Sequence, residues 1–122
     1  WFEIYVQDMA RAKAFYEAVF QCSLSPLGNP DAESLPGMEM LAFPSFMEHY
    51  GAAGTVVMMP GCPSGGSGTL VYFGCADCGV EAARAAAHGG RIFKDKMAIG
   101  PHGFIALVHD TEGNLIGLHS MA

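Results

Sequence analysis

The stretch GFIALVHDTEGNLIGLHS, residues 103–120, is the part of the sequence that decides the fold. It predicts two apolar strands, 103–109 and 114–120, joined by a short polar turn that contains a glycine. The second strand places Gly117 where a strand usually carries a side chain, and His119 two residues later. The role of this glycine bears directly on whether the protein holds a metal.

The chain repeats one structural unit at a period of about 69 residues. In the first copy the strand WFEIYV (1–6) is followed by Asp8, a helix N-cap, and by the amphipathic helix MARAKAFYEAVF (9–20). In the second copy LVYFGC (70–75) is followed by Asp77 at the same offset and by the alanine-rich helix GVEAARAAAHGG, which ends at its glycines. Further strands are predicted at 22–27, 38–44, 54–59, 91–95, 103–109 and 114–120.

This order predicts an α+β domain, 1–122, built from two tandem βαβββ modules. The modules are 1–60 and 69–122, and the glycine-rich segment 61–68 is interpreted as the linker between them. Its glycines could cradle an anion, but no lysine follows at the spacing of a P-loop. Residues 29–37 are predicted to form a loop because they are rich in Pro, Gly and Asp.

Composition excludes several classes of protein. A chain of 122 residues with 51% hydrophobic residues can form its own core, which makes disorder improbable. No apolar run approaches the roughly 20 residues of a membrane span. The net charge is −6 and no basic stripe is present, so neither a membrane nor a nucleic acid is expected as a partner.

The four cysteines are expected to be reduced thiols, which predicts a cytoplasmic protein. They are Cys22, Cys62, Cys75 and Cys78. The last two form C-A-D-C at a strand-to-helix junction, where a helix N-terminus would lower the pKa of a thiol. A single C-x-x-C is weak evidence for a metal or redox site, and a structural role is favoured.

Three segments of the sequence resemble those of the vicinal oxygen chelate superfamily. They are FEIYVQDMARAKAFYEAVF, GTLVYFGCAD and GGRIFKDKMAIGPHGFIALVHDTEGNLIGLHS, and they span nearly the whole chain. The superfamily includes glyoxalase I, bleomycin-resistance proteins, fosfomycin-resistance enzymes and extradiol dioxygenases. The resemblance implies a mixed sheet curled into an open cup that holds a small organic ligand, and a homodimer.

The resemblance also implies where a metal would be bound. The superfamily takes ligands from the first strand of each module and from the last strand. The corresponding positions here are Trp1, Leu70 and Gly117, and none has a side chain that can ligate a metal. We therefore expect no metal at the usual site, and space beside Gly117 for a substrate or another side chain.

Alternation along the strands predicts which side chains face the cup. The predicted cup-facing set is Trp1, Glu3, Tyr5, Leu70, Tyr72, Gly74, Leu115, Gly117 and His119. The intervening residues are apolar and suit packing against helices. A carboxylate on such a face is a candidate general base.

Two classes of function follow. The first is a binding protein with an aromatic, metal-free cup, as in the bleomycin-resistance branch. Its candidate ligand-binding residues are Trp1, Tyr5, Leu70, Gly117, Met38 and His102, the last from a loop, IGPHG, that could cover the cup mouth. The second is a lyase, isomerase or dioxygenase acting on a small carbonyl or aromatic substrate. It would use Glu3 and His119 as an acid–base pair with Tyr72 as a donor, or Glu3, Glu39 and His119 as displaced ligands of a divalent metal.

Overall fold

Each half of the chain forms a strand, a helix and three further strands. The structure is a computed structural model that describes residues 1–28, 36–46, 48–66 and 69–122. Its elements are β1 (Phe2–Tyr5), α1 (Met9–Phe20), β2 (Ser25–Pro26), β3 (Glu39–Ala42), β4 (Gly54–Met58), β5 (Tyr72–Gly74), α2 (Cys78–Ala87), β6 (Arg91–Ala98), β7 (Phe104–His109) and β8 (Leu115–Ser120), with a 3-10 turn at Gly100–His102. Most of the predicted loop 29–37, and two residues of the predicted linker 61–68, lie outside the described residues.

The strands form two four-stranded mixed sheets. Their orders are β1-β4-β3-β2 and β5-β8-β7-β6, so the second module repeats the first. In each sheet the first strand is parallel to the last strand of its module, and the remaining pairs are antiparallel. The predicted α+β architecture of two tandem βαβββ modules is confirmed.

Both helices begin at the predicted caps. The Asp8 carboxylate accepts a hydrogen bond from the Arg11 amide at 3.0 Å, and the Asp77 carboxylate accepts one from the Gly79 amide at 2.9 Å. At the end of α2, Gly89 has a φ of 93°, which favours glycine, and the Gly90 amide donates to the Ala85 carbonyl at 2.8 Å.

The core lies between the helices and one face of each sheet. Ile4 and Val6 are buried there from the first module, and Ile116 and Leu118 from the second. Five aromatic rings, those of Phe2, Tyr16, Phe20, Phe43 and Phe73, join the two modules. The tightest pair is Phe20 and Phe73, which stack with ring centroids 4.5 Å apart. The predicted alternation between core-facing and opposite residues agrees with this burial.

A buried carboxylate ties the turn between β7 and β8 to the start of α1. Glu112 is almost fully buried and accepts hydrogen bonds from the amides of Gln7 and Asp8, each at 2.9 Å. It also accepts two from the Arg11 guanidinium, at 2.6 and 2.9 Å. We call this arrangement the Glu112 clamp, and it joins the second module to the first.

The same turn makes two further links to the first module. The Tyr16 hydroxyl donates to the Asp110 carboxylate at 2.8 Å, which satisfies a buried phenol. The Asn114 amide group donates to the Tyr5 carbonyl at 2.9 Å. The D-x-E-G-N motif, residues 110–114, therefore joins the second module to the first through its polar side chains.

No helix within the described residues is long and apolar enough to cross a membrane.

Candidate functional site

The face of the second sheet that points away from the helices carries a shallow depression of about 410 Å³. We call this face the inner face of the second sheet. The depression is lined by Tyr72, Gly74, Ile99, Ile105 and His119. β5, β7, β8 and the segment after β6 bring these residues together because Gly74 and Ile105 are both paired with His119 across the sheet. Its walls are mainly apolar, with one imidazole.

The space beside Gly117 is taken by an aromatic ring. Tyr72 is the cross-strand partner of Gly117, and a Cβ at Gly117 would overlap the Tyr72 ring. The absence of a side chain on β8 thus lets the ring lie against the sheet and form one wall of the depression. The sequence predicted that either a substrate or another side chain would occupy the space beside Gly117, and the structure shows a side chain, that of Tyr72.

His119 is oriented by the turn that follows β6. Its Nε2 lies 2.7 Å from the His102 carbonyl oxygen, and because a carbonyl only accepts, Nε2 carries the proton. In the neutral ring Nδ1 is left as an acceptor. His102 therefore contributes to the site through its backbone, while its side chain is exposed.

Glu3 lies apart from this depression. Its carboxylate accepts hydrogen bonds from the Trp1 indole at 3.3 Å and from the Tyr5 hydroxyl at 3.0 Å; Glu3 and Tyr5 are on β1, and Trp1 directly precedes it. Glu3 and Tyr5 line a different depression, of about 360 Å³, near Asn114 and the glycines that follow Cys62.

The expected pair of Glu3 and His119 is therefore not formed. The hydrogen bonds of Glu3 go to its neighbours on β1, and that of His119 goes to the turn after β6. β1, which carries Glu3, and β8, which carries His119, belong to separate four-stranded sheets.

Glu39 and Met38 also lie away from the depression. Glu39 pairs with Met58, whose side chain packs against the core, so Glu39 is on the face opposite to Glu3. The set Glu3, Glu39 and His119 is consequently not brought together. Met38 precedes β3 and is half-buried, and Leu70 precedes β5 and is partly exposed.

The comparisons with known proteins concern the fold. No protein-family model matches the sequence, and no curated protein matches it. Solved structures do resemble it. Glyoxalase I from Zea mays has a TM-score of 0.72 and 19% identity, over 98% of this chain and 44% of that chain. A glyoxalase family protein from Bacillus cereus has a TM-score of 0.70 and 16% identity, over 97% and 89%.

A glyoxalase/bleomycin resistance protein/dioxygenase family enzyme from Burkholderia phytofirmans has a TM-score of 0.66 and 16% identity, over 99% of this chain and 96% of that one. The chain has the glyoxalase/bleomycin-resistance fold. This confirms the fold implied by the resemblance to the vicinal oxygen chelate superfamily. At these identities the likeness is one of fold, and the chain spans under half of the maize glyoxalase I chain.

The residues of this glyoxalase-like chain do not fit the metal site that the resemblance implies. Trp1 and Leu70 offer no metal-binding atom in their side chains, and the Tyr72 ring lies where a side chain at position 117 would project. In the part of the chain that the structure describes, no three His, Cys, Asp or Glu side chains are grouped so that they could hold a metal ion.

The environment of the C-A-D-C motif is that of a structural thiol. Burial, with smaller contributions from the nearby Glu81 and Cys78, raises the pKa of the Cys75 thiol to about 12. The lowered pKa that a helix N-terminus would give is thus not found at Cys75, because its side chain is half-buried at the end of β5, before α2 begins.

Several residues of the site escaped the sequence reasoning. Ile99 and Ile105 line the depression, and Lys94 is paired with Leu107 on the same face. Along β7, Ile105 and Leu107 point to the face opposite that of the buried Ala106. Alternation in the sequence could therefore have placed these two residues on the inner face. Lys94 could not be placed because β6 shifts register on both sides of it.

Proposed function

We propose that the protein binds a small, largely apolar organic molecule on the inner face of the second sheet. The observation that carries this proposal is the depression itself, with the Tyr72 ring, Ile99 and Ile105 as apolar walls and His119 as the orienting polar group. Ligand sites commonly combine apolar walls with a few polar groups whose positions are fixed. The His102 carbonyl fixes His119 in this way.

The depression also suggests how the ligand lies. Tyr72 is half-exposed, so one side of its ring is available for stacking on a planar group. The Nδ1 atom of a neutral His119 would accept a hydrogen bond from a ligand hydroxyl or N–H group. Trp1, Tyr5 and Glu3, which form their own hydrogen-bonded group, would play no direct part.

Removing the aromatic wall is the test of this proposal. We expect Tyr72→Ala to weaken the binding of the uncharged fluorescent probe N-phenylnaphthylamine by about tenfold, because stacking on a half-buried ring contributes about 1 kcal/mol or more. Fluorescence titration measures the dissociation constant. Tyr50→Ala is a matched control, since Tyr50 is fully exposed and lies between β3 and β4 in the first module.

Equal probe affinity in Tyr72→Ala and the parent protein would refute a ligand site at this depression. Near-UV circular dichroism of both variants would verify that the fold is kept.

Binding is supported better than acid–base catalysis. A reaction that used Glu3 and His119 together would need both groups at one reacting atom, and they line different depressions. Both Glu3 carboxylate oxygens already accept hydrogen bonds from its near neighbours Trp1 and Tyr5, which favours a local structural role for this residue.

The homodimer implied by the resemblance is a further part of the proposal. It is supported by large apolar side chains that are exposed outside the depression, among them Trp1, Phe93 and Met97. Sedimentation equilibrium should give about twice the chain mass of 12.9 kDa. A mass of one chain at all concentrations tested would rule the dimer out.

A further inference from the structure

Apart from the Tyr72 phenol, the titratable groups that the strand register places on the inner face of the second sheet are all basic. His109 and Arg91 are cross-strand partners, and an Arg91 guanidinium nitrogen lies 3.2 Å from His109 Nδ1. Lys94 is the partner of Leu107, which in turn is the partner of Gly117. With His119 these make four basic groups on one face of a protein whose net charge is −6.

Lys94 stands out among the three lysines. Lys13 is paired with Glu17 at 3.3 Å, and Lys96 is paired with Asp77 at 2.7 Å. Lys94 is exposed, and no carboxylate of the described residues lies within ion-pair distance of its ammonium group. Its neighbour Asp95 is exposed, lies within the register shift between Lys94 and Met97, and has no partner in the ladder.

The register places Lys94 across the sheet from the aromatic wall. Tyr72, Gly117, Leu107 and Lys94 lie side by side on β5, β8, β7 and β6. Neighbouring strands are about 4.8 Å apart, so the row spans roughly 14 Å. The Tyr72 ring already lies over Gly117, and the exposed Lys94 is the cross-strand neighbour of Leu107 at the other end of the row. A small molecule on Leu107 and Ile105 would have the ring on one side and Lys94 on the other, where the flexible lysine side chain can turn toward it.

We propose that the ligand class of this depression is an apolar organic anion, a carboxylate or sulfonate whose charged group pairs with Lys94 and whose apolar part stacks on Tyr72. This inference rests on the proposed function, since it specifies the ligand of the same depression. The charge is what selects the ligand: an unpaired ammonium group attracts an anion, and no acidic side chain of the described inner face is paired with it.

A pair of probes that differ in charge tests the inference. Anilinonaphthalene sulfonate carries the negative charge that N-phenylnaphthylamine lacks, and both report binding by fluorescence. We expect the anionic probe to bind the parent protein more tightly. Lys94→Met keeps the length of the side chain and should weaken the anionic probe by about tenfold while leaving the neutral probe unchanged. Lys13→Met is the matched control and should change neither affinity.

The possible results separate the two proposals. If the neutral probe depends on Tyr72 but Lys94→Met leaves the anionic probe unaffected, the anion preference is wrong and the binding site stands. If neither probe depends on Tyr72, the site itself is wrong and the inference falls with it. A loss of both probes in Lys94→Met, with an unchanged near-UV spectrum, would show that Lys94 acts on the shape of the depression and would overturn its role as a charge partner.

Discussion

Glu112→Ala is expected to lower the free energy of unfolding by about 3 kcal/mol or more, because removing one partner of a buried charged group leaves the others unsatisfied. In the Glu112 clamp the variant would leave two backbone amides, those of Gln7 and Asp8, and the Arg11 guanidinium without their acceptor. Urea denaturation gives the free energy directly. Glu39→Ala is the control, since Glu39 is an exposed glutamate on β3, and its loss should change stability by no more than about 0.5 kcal/mol.

The clamp also predicts how stability depends on acid. Burial acts to raise the pKa of Glu112, but hydrogen bonds from Arg11, Gln7 and Asp8 outweigh it and lower the pKa to about 2. A carboxyl whose pKa is lowered by folding stabilises the fold above its unfolded value and loses that contribution as the pH falls through the folded value. The parent protein should therefore lose about 3 kcal/mol of this contribution between about pH 5 and pH 2.

Glu112→Gln isolates this titration because it keeps the size of the side chain and removes the proton-binding group. Its unfolding free energy should be lower at neutral pH and should fall less steeply with acid than that of the parent protein. Parallel pH profiles for the two proteins would contradict the assignment of the acid sensitivity to Glu112.

Gly90→Ala is the second substitution with a large expected effect. A Cβ at this position would lie 2.6 Å from the His109 carbonyl oxygen, 2.7 Å from the Phe15 ring and 2.9 Å from the Ala85 carbonyl oxygen. Two of these contacts are with backbone atoms, so α2, β7 and α1 would have to separate. We expect a loss of about 3 kcal/mol in the free energy of unfolding, at the upper end of the cost of overpacking a core.

The matched control for this glycine is Gly28→Ala, since a Cβ at Gly28 meets no atom within 4 Å. Thermal and urea denaturation of the two variants should give a large difference in stability. Equal stabilities would mean that the close approach of α1 to the end of α2 is not a strict requirement of the fold.

The local parts of the fold could be predicted from the sequence. The first helix has the predicted bounds, Met9–Phe20, because its N-cap and its apolar stripe are local features that can be recognised in one short segment of the sequence. β6 runs to Ala98, beyond the predicted end at residue 95, because shifts in register let it continue through charged residues. In β1, β5 and β8, the strands to which alternation was applied, it correctly separated core-facing from opposite residues.

The candidate site could be predicted only in part. Tyr72, Gly117 and His119 were chosen from alternation, and the structure brings them to one face. The described hydrogen bonds do not join His119 to Glu3, since alternation fixes the face of a strand and not its distance from a strand of another sheet. The role of Glu112 was missed for a related reason, since its partners Gln7 and Asp8 are 105 and 104 residues away along the chain.

That separation bears on the order of folding during synthesis. The amides of Gln7 and Asp8 at the start of α1 emerge from the ribosome early, but their acceptor arrives only about a hundred residues later. At roughly 5–20 residues per second, the first module spends several seconds or more without the carboxylate that completes it. In that interval its helix start is held by Asp8 alone, and a nascent chain arrested before residue 110 should be more open to proteases at this point than the finished protein.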